Sequence, residues 1–283
     1  MSNANIKQTT LGIRVILYAA SFLVLSVSLS LFFFPGQTEV YFSWTIKPPL
    51  TAAFLGAGYL ASFFFEFLSA RERIWANARP AVPGVWLFTL LTLVVTLLHL
   101  DRFHFNSPAF ITVAGTWVWL AIYVGVPLAM GLLWIHQARQ PGIDPPCVAR
   151  LPKWFLVVLT GQGVIMLLLG LVMLISPDSV IPLWPWALSP LTCRAIGAWG
   201  MGLGLIALQA AWENDWRRLS PTMLSYGLYG ALQIINLLRF PTTLEWRTPQ
   251  AILYTGFIVI MFLMGLFGTQ QARSIKRDPA GFS

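Results

Sequence analysis

The feature of this sequence that most constrains its fold is a series of long apolar runs separated by short polar segments. A run of about 18 or more apolar residues is long enough for a helix to cross the hydrocarbon layer of a membrane. Eight runs are read from the chain, at residues 11–34, 50–68, 82–100, 110–135, 154–175, 191–212, 223–238 and 251–267, and the last two are the shortest. The pattern predicts an all-α integral membrane protein with eight transmembrane helices.

The composition supports the same class of protein. Of the 283 residues, 57% are hydrophobic and only 10% are charged, whereas soluble domains carry roughly 25% charged residues. The first run is longer than the roughly 7–15 residues of a signal-peptide core, and the segment Phe34-Pro35-Gly36-Gln37 that follows has no A-x-A-like cleavage site. We therefore expect this run to be a helix of the protein.

The basic residues indicate an orientation in the membrane. They form short clusters at the ends of apolar runs and no basic face interleaved with aromatic residues, so nucleic-acid binding is not expected. Eight crossings divide the 18 Lys and Arg residues into 13 on one side and 5 on the other. Because the basic side of a membrane protein faces the cytoplasm, we predict a multi-pass protein of the cell inner (plasma) membrane with both termini cytoplasmic. Cys147 and Cys193 then lie on opposite sides, and no disulfide is expected.

One phrase occurs twice in the chain. "PPLTAAFLGAG" at residues 48–58 is matched 141 positions later by "SPLTCRAIGAW" at residues 189–199. The same offset pairs Glu72 with Glu213, Trp75 with Trp216 and Pro80 with Pro221. After a short deletion, "HLDRF" at 99–103 meets "NLLRF" at 236–240, and "HQAR" at 136–139 meets "QQAR" at 270–273. The matches predict two four-helix repeats.

Four is an even number of crossings, so both repeats would enter the membrane in the same direction. That makes them parallel repeats related by a pseudo-twofold axis along the membrane normal. We predict a first four-helix repeat at residues 1–139, a cytoplasmic linker at 140–153, a second repeat at 154–273 and a cytoplasmic tail at 274–283. The linker is basic and rich in proline, as suits a connector.

Small residues are concentrated in the second and sixth runs. "GAWGMGLG" at residues 197–204 includes Gly200 and Gly204 at the GxxxG spacing, and residues 53–61 carry several glycines and alanines. Small residues let helices approach closely in lipid, so these two helices are predicted to form the packed centre of each half. The stretches "SPLTCRAIGAWGMGLGL" and "PPLTAAFLGAGYL" resemble the DoxX-like four-helix membrane proteins, here apparently duplicated in tandem. The resemblance implies the four-helix unit and no catalytic residue.

Charged residues that occur in only one repeat are candidates for special roles, because an ionisable group inside a membrane is costly unless it is paired. Arg14 and Glu66 lie on adjacent helices, near the cytoplasmic face, and are both replaced by apolar residues in the second repeat. We predict a structural ion pair between them. Asp101 and Arg194 are likewise unmatched and lie at one depth on the outer side, which indicates charge compensation across the two repeats.

A ligand site is predicted in the crevice between the repeats, near the outer face. The candidate ligand-binding residues are His99, Asp101, Arg102, Arg194, Asn236 and Arg239. No metal site and no cofactor are predicted, because His99 and Asp101 are two apart on a helix and point to different sides. No catalytic residues are assigned, since G-x-S-x-G, H-E-x-x-H and P-loop motifs are absent from the sequence.

The sequence favours a non-enzymatic membrane protein that binds or moves a small hydrophobic or lipid-like molecule, with membrane lipids as its partners. One alternative is a non-catalytic accessory subunit of a larger membrane complex, with other membrane subunits as partners. The other alternative is a lipid-acting membrane enzyme that uses His99, Asp101 and His104 as an acid/base group.

Overall fold

The computed structural model describes residues 5–277, with side chains through residue 275, and its regular elements in that range are helices. Eight of the described helices have 18 or more residues: α1 Leu11–Ser28, α2 Pro49–Arg71, α3 Ala81–Leu98, α4 Phe110–Ala138, α5 Lys153–Ile175, α6 Pro190–Glu213, α7 Ser220–Arg239 and α8 Pro249–Arg277. A π-helical turn, Leu29–Phe33, continues α1. The helix α8 extends past the predicted boundary at 273, and residues 278–283 of the predicted tail lie outside the described residues.

Seven of these described helices are long and apolar enough to cross a membrane, which confirms an α-helical, multi-pass character. The remaining one, α7, has lower hydropathy because one of its faces is polar. Gln233 and Asn236 on that face are fully buried. Gln233 donates to the carbonyl of Phe54 at 3.0 Å, and Asn236 donates to that of Ala53 at 2.9 Å. The polar groups of α7 are thus satisfied by α2.

The long helices pack in a regular pattern. Within the first half of the chain α1 packs on α2 and α3 on α4, and within the second half α5 packs on α6 and α7 on α8. Between the halves, α3 packs on α6 and α7 packs on α2. The third helix of each half therefore lies against the second helix of the other half.

The helices α2 and α6 are the most buried of the candidate spans, and each packs on one helix of its own half and on one helix of the other half. In the membrane-spanning stretches of these two helices, 72% and 61% of residues are buried, against 22–33% in α1, α4, α5 and α8. A Cβ added at Gly56 would overlap the backbone of Phe32, and one added at Gly197 would lie 2.8 Å from the carbonyl oxygen of Gly170. The glycines therefore permit the close approach of α2 to α1 and of α6 to α5.

One end of the bundle, which we call the basic end, holds the starts of α1 and α5 and the ends of α2, α4 and α6. The segment before α1 bonds the loop after α2, because Trp75 N donates to Lys7 O at 3.0 Å. The segment before α5 bonds the loop after α6 in the same way, with Trp216 N donating to Ala149 O at 2.9 Å. We call the opposite end, where α3 and α7 end, the distal end.

A cluster of charges joins the two halves at the basic end. Arg79 forms a bidentate pair with Glu213, with N···O distances of 2.6 and 2.8 Å, and also contacts Asp144 of the linker at 2.8 Å. Arg218 contacts Glu213 at 2.8 Å and donates to Pro145 O at 2.7 Å. Burial acts to lower the pKa of Arg79, but Glu213 and then Asp144 outweigh it, so the pKa is raised and the guanidinium stays charged. This network holds the two halves and the linker together at the basic end.

Replacing Arg79 by Leu is expected to destabilise the protein by about 3–5 kcal/mol, because it leaves the buried Glu213 carboxylate with only one of its two guanidinium partners. The matched control is Arg102→Leu, which removes an exposed pair with Asp101 and is expected to cost about 0–1 kcal/mol. Thermal unfolding in mild detergent compares the two variants. Equal losses would contradict a role for the buried network in joining the halves.

Candidate functional site

The distal end contains a contact between the two halves that includes two of the six candidate residues. The helix α3 ends at Leu98, and His99 follows in a non-helical conformation. Arg194, in the first turn of α6, donates from Nη1 to His99 Nε2 at 2.9 Å and from Nε to the carbonyl of Leu174 at 3.0 Å. Arg194 therefore ties α6 both to the end of α5 and to the end of α3.

The charge state of His99 follows from this contact. Burial is the largest effect and lowers the pKa of His99, and the positive charge of Arg194 lowers it further. Asp101 acts in the opposite direction with a smaller effect, and Arg102 adds a still smaller lowering. A neutral imidazole with its proton on Nδ1 can accept the bond from Arg194, whereas an imidazolium cannot.

Asp101 and Arg194 are not joined by an ion pair in the described part of the chain, so the compensation predicted between them is absent. Asp101 instead pairs with its neighbour Arg102 at 3.0 Å, with both side chains more than 70% exposed. The reason is local, because these residues lie in a 3-10 turn, Leu100–Arg102, rather than in the α-helix that would direct them apart. An exposed pair of this kind contributes little to stability.

Asn236 and Arg239 lie elsewhere, on α7 where it meets the first half. Asn236 is fully buried and bonds α2. Arg239 donates to the carbonyl of Phe32 at 2.7 Å and lies over the ring of the same residue, 5.0 Å from its centroid. Arg239 therefore caps the π-helical end of α1, and Asn236 bonds α2, so the two residues hold α7 to the first half. The six candidates therefore form two structural contacts and one exposed pair, and they do not line one shared cavity.

The residues of the enzyme alternative are each engaged with a different partner. His104 bonds Thr45 Oγ1 at 3.0 Å through Nε2 and the carbonyl of Phe42 at 3.0 Å through Nδ1. His99 bonds Arg194, and Asp101 bonds Arg102. Among the described residues, no group of three or more His, Cys, Asp or Glu is arranged to hold a metal ion.

The ion pair predicted between Arg14 and Glu66 is not formed. Arg14 donates from Nε to the carbonyl of Ala70 at 3.0 Å. This carbonyl belongs to the last turn of α2, where carbonyls have no partner within the helix and attract basic side chains. Arg14 therefore caps α2 one turn beyond Glu66. Glu66 is only 3% exposed, and its Oε2 has no hydrogen-bond partner.

The central helices of the two halves leave little space where they meet. A cavity of about 40 Å³ remains where α2, α3, α6 and α7 meet, beside Gly58, Gly84 and Trp199. Such a volume holds a few water molecules at most. The hydroxyls of Thr222 and Ser225 line it and have no hydrogen-bond partner in the protein, so the cavity suits bound water rather than a lipid.

A larger groove, which we call the α1/α4 groove, opens at the distal end of the first half. It has a volume of about 570 Å³ and is lined by the end of α1 with its π-helical turn, by residues 37 and 40–43, and by the start of α4. Its walls are mostly apolar side chains, including Leu29, Ile111 and Trp119, while Gln37 and Tyr41 are exposed at its distal rim. Sequence reasoning missed this groove. Its only local signal is the proline and glycine at 35–36 that end the first apolar run.

Acidification is expected to lower the stability of the protein through His99. Its folded-state pKa is lowered, so its contribution is present above the unfolded value of about 6.5 and is lost as the pH falls below it. Protonation would break the bond with Arg194 and set two positive charges side by side. Thermal midpoints of the wild type and of His99→Asn, recorded between neutral and acidic pH, measure this contribution. A difference between them that does not change with pH would contradict it.

Comparisons with protein-family models, with curated proteins and with solved structures gave no match to this chain.

Proposed function

We propose that this protein is a non-enzymatic, multi-pass membrane protein that binds a hydrophobic, lipid-like molecule in the α1/α4 groove. The observation that carries the proposal is the volume of the groove, about 570 Å³. Sites for small organic ligands typically measure roughly 300–1,000 Å³. The cavity between the halves, at about 40 Å³, falls far below that range, so the proposed site moves from the inter-repeat crevice to the first half.

The surroundings of the groove support the acyl chain of a membrane lipid as its occupant. Its two walls, α1 and α4, are candidate membrane spans with only 33% and 22% of the spanning residues buried. Hydrocarbon therefore surrounds the groove on its open side. Exposed apolar side chains, Leu29 and Ile111 among them, continue its surface into the lipid-facing wall of the bundle.

The distal rim suits a polar head group. Gln37 and Tyr41 are exposed there, while the hydroxyl of Thr112 is already used in a bond of 2.8 Å to the carbonyl of Val40. An acyl chain in the groove would place its head group beside the free amide and phenol. The π-helical turn of α1, Leu29–Phe33, forms part of the wall, and such turns frequently occur at functional sites.

The other two functions have less support. For the lipid-acting enzyme, the three acid/base candidates are each bonded to a separate partner and line neither the groove nor the central cavity. For the accessory subunit, the exposed faces of the outer helices are available to a partner, but lipid covers such faces equally well. Neither alternative has an observation of its own in its favour.

We also propose that the chain is a tandem duplication with eight crossings, in which α7 is the eighth span and each half is a DoxX-like four-helix unit. The equivalent bonds of Trp75 and Trp216, and the reciprocal packing of α3 on α6 and of α7 on α2, support a pseudo-twofold relation. The helix α7 has 20 residues, which gives a length of about 30 Å, enough to cross. The charge bias supports a cytoplasmic basic end in a plasma membrane.

Filling the groove tests the site. Gly115 lies in the groove, and a Cβ added there meets no atom within 4 Å. Gly115→Trp is expected to weaken binding of a dioleoyl phospholipid by about tenfold or more, equal to about 1.4 kcal/mol, as measured by native mass spectrometry. Gly256→Trp is the matched control, since Gly256 is an exposed glycine of α8 with equally open surroundings. Equal binding by both variants would exclude the groove.

The native cysteines test the orientation of the protein in the membrane. They are suitable labelling sites because the structure describes both of them, whereas Ser2 and the end of the tail lie outside the described residues. Cys147 is exposed at the basic end, and Cys193 is buried. Burial, followed by the charge of Asp215, raises the pKa of the Cys147 thiol, so labelling is done at alkaline pH. An impermeant maleimide is expected to label the protein only after cells are permeabilised. A Gln37→Cys variant that lacks Cys147 is expected to react in intact cells, and the reverse pattern would invert the topology.

A further inference from the structure

Glu66 stands apart from the other acidic side chains inside the bundle. It lies inside a candidate membrane span, between one and two turns from the basic end of α2, and is 3% exposed, yet it takes part in no ion pair within the described residues, and its Oε2 has no hydrogen-bond partner. Glu213 is equally buried, at 5%, but is held by Arg79 and Arg218. Two buried glutamates of one chain thus have opposite surroundings.

The groups around Glu66 offer it no cation. Arg14, the nearest basic residue of α1, is bonded to the carbonyl of Ala70. The titratable and charged residues of the helices that contact α2 are Arg14 and Tyr18 of α1, Tyr123 and His136 of α4, Cys193, Arg194 and Glu213 of α6, and Tyr226, Tyr229 and Arg239 of α7, while α3 has none. Of these groups, the phenol of Tyr123 lies within electrostatic range of Glu66, as does Tyr59 on its own helix. Both are neutral groups.

The two phenols form a buried pair with each other rather than with the carboxyl. Tyr59 and Tyr123 are both buried, and their hydroxyls lie 2.9 Å apart, so each can donate to the other or to a third acceptor. Tyr59 lies seven positions before Glu66 and therefore on the same face of α2. The phenols therefore bond each other, are neutral, and give Glu66 no compensating charge.

An ionised carboxylate in such surroundings is costly, because an unpaired charge in a low-dielectric interior loses its hydration and gains no partner. Binding one proton removes this cost, since a neutral carboxylic acid needs only ordinary hydrogen bonds. We propose that Glu66 is a proton-binding site inside the first half. Its carboxyl group is protonated in the packed state described here and becomes a carboxylate on alkalinisation. The ligand is the proton itself, and the inference does not depend on the lipid groove.

Infrared spectroscopy tests this directly, because a protonated carboxyl and a carboxylate absorb at different positions. Purified wild-type protein in detergent is expected to show a carboxylic-acid C=O band at neutral pH that disappears reversibly on alkalinisation. The band is expected to be absent from Glu66→Gln and unchanged in Glu213→Gln. A wild-type band that is unaffected by Glu66→Gln, or one that does not respond to pH while the protein remains folded, would overturn the proposal.

Thermal stability gives a second readout that does not depend on assigning a band. A glutamine has nearly the same shape as a neutral glutamic acid, so Glu66→Gln is expected to keep the unfolding midpoint of the wild type at neutral pH. Glu213→Gln, the matched control, removes the charge of a paired carboxylate and is expected to lower the midpoint clearly. Equal losses in both variants would show that Glu66 is ionised and paired, and would overturn the proposal.

Discussion

The architecture depends on a single constraint, which is that a polar group placed in the interior of a membrane bundle is costly unless it finds a partner within the protein. The helix α7 shows how this is met. Gln233 and Asn236 would be costly against lipid, but they donate to the carbonyls of Phe54 and Ala53 on α2. A carbonyl oxygen has two lone pairs and can accept a side-chain donor in addition to its helical bond. These two bonds fix α7 against the other half of the chain. They explain why a helix of modest hydropathy lies inside the bundle.

The sequence predicted the helices well and the contacts between charges poorly. Apolar runs and clusters of glycine are local features of the sequence, so most bounds of the long helices and the strong burial of α2 and α6 could be read directly. The end of α8, at Arg277, lies ten residues beyond the apolar run at 251–267. The pairing of Arg14 with Glu66 failed because a sequence pattern does not represent backbone acceptors. The free carbonyl of Ala70 at the end of α2 competes for the guanidinium and is the partner it reaches.

The charge network at the basic end was missed for a related reason. The sequence pattern pairs Glu213 with Glu72 and does not indicate a partner for it in the other half. In the structure the two glutamates do keep an equivalent local contact, since Asn77 bonds Glu72 at 3.1 Å and Arg218 bonds Glu213 at 2.8 Å. Arg79 adds the bond between the halves. From its position just beyond a helix end, Arg79 is predicted only to contribute to the charge bias that orients the protein in the membrane. Its contact with α6 joins residues that are far apart in the sequence, so the local pattern does not predict it.

The two halves share a packing pattern but differ in what they enclose, and the difference lies in the first half. The α1/α4 groove, the unpaired carboxyl of Glu66 and the phenol pair of Tyr59 and Tyr123 all belong to it. The residue that aligns with Glu66 in the second half is Ala207, which is fully buried among apolar neighbours. The same packing pattern therefore accommodates a buried carboxyl at this position in one half and an apolar side chain in the other.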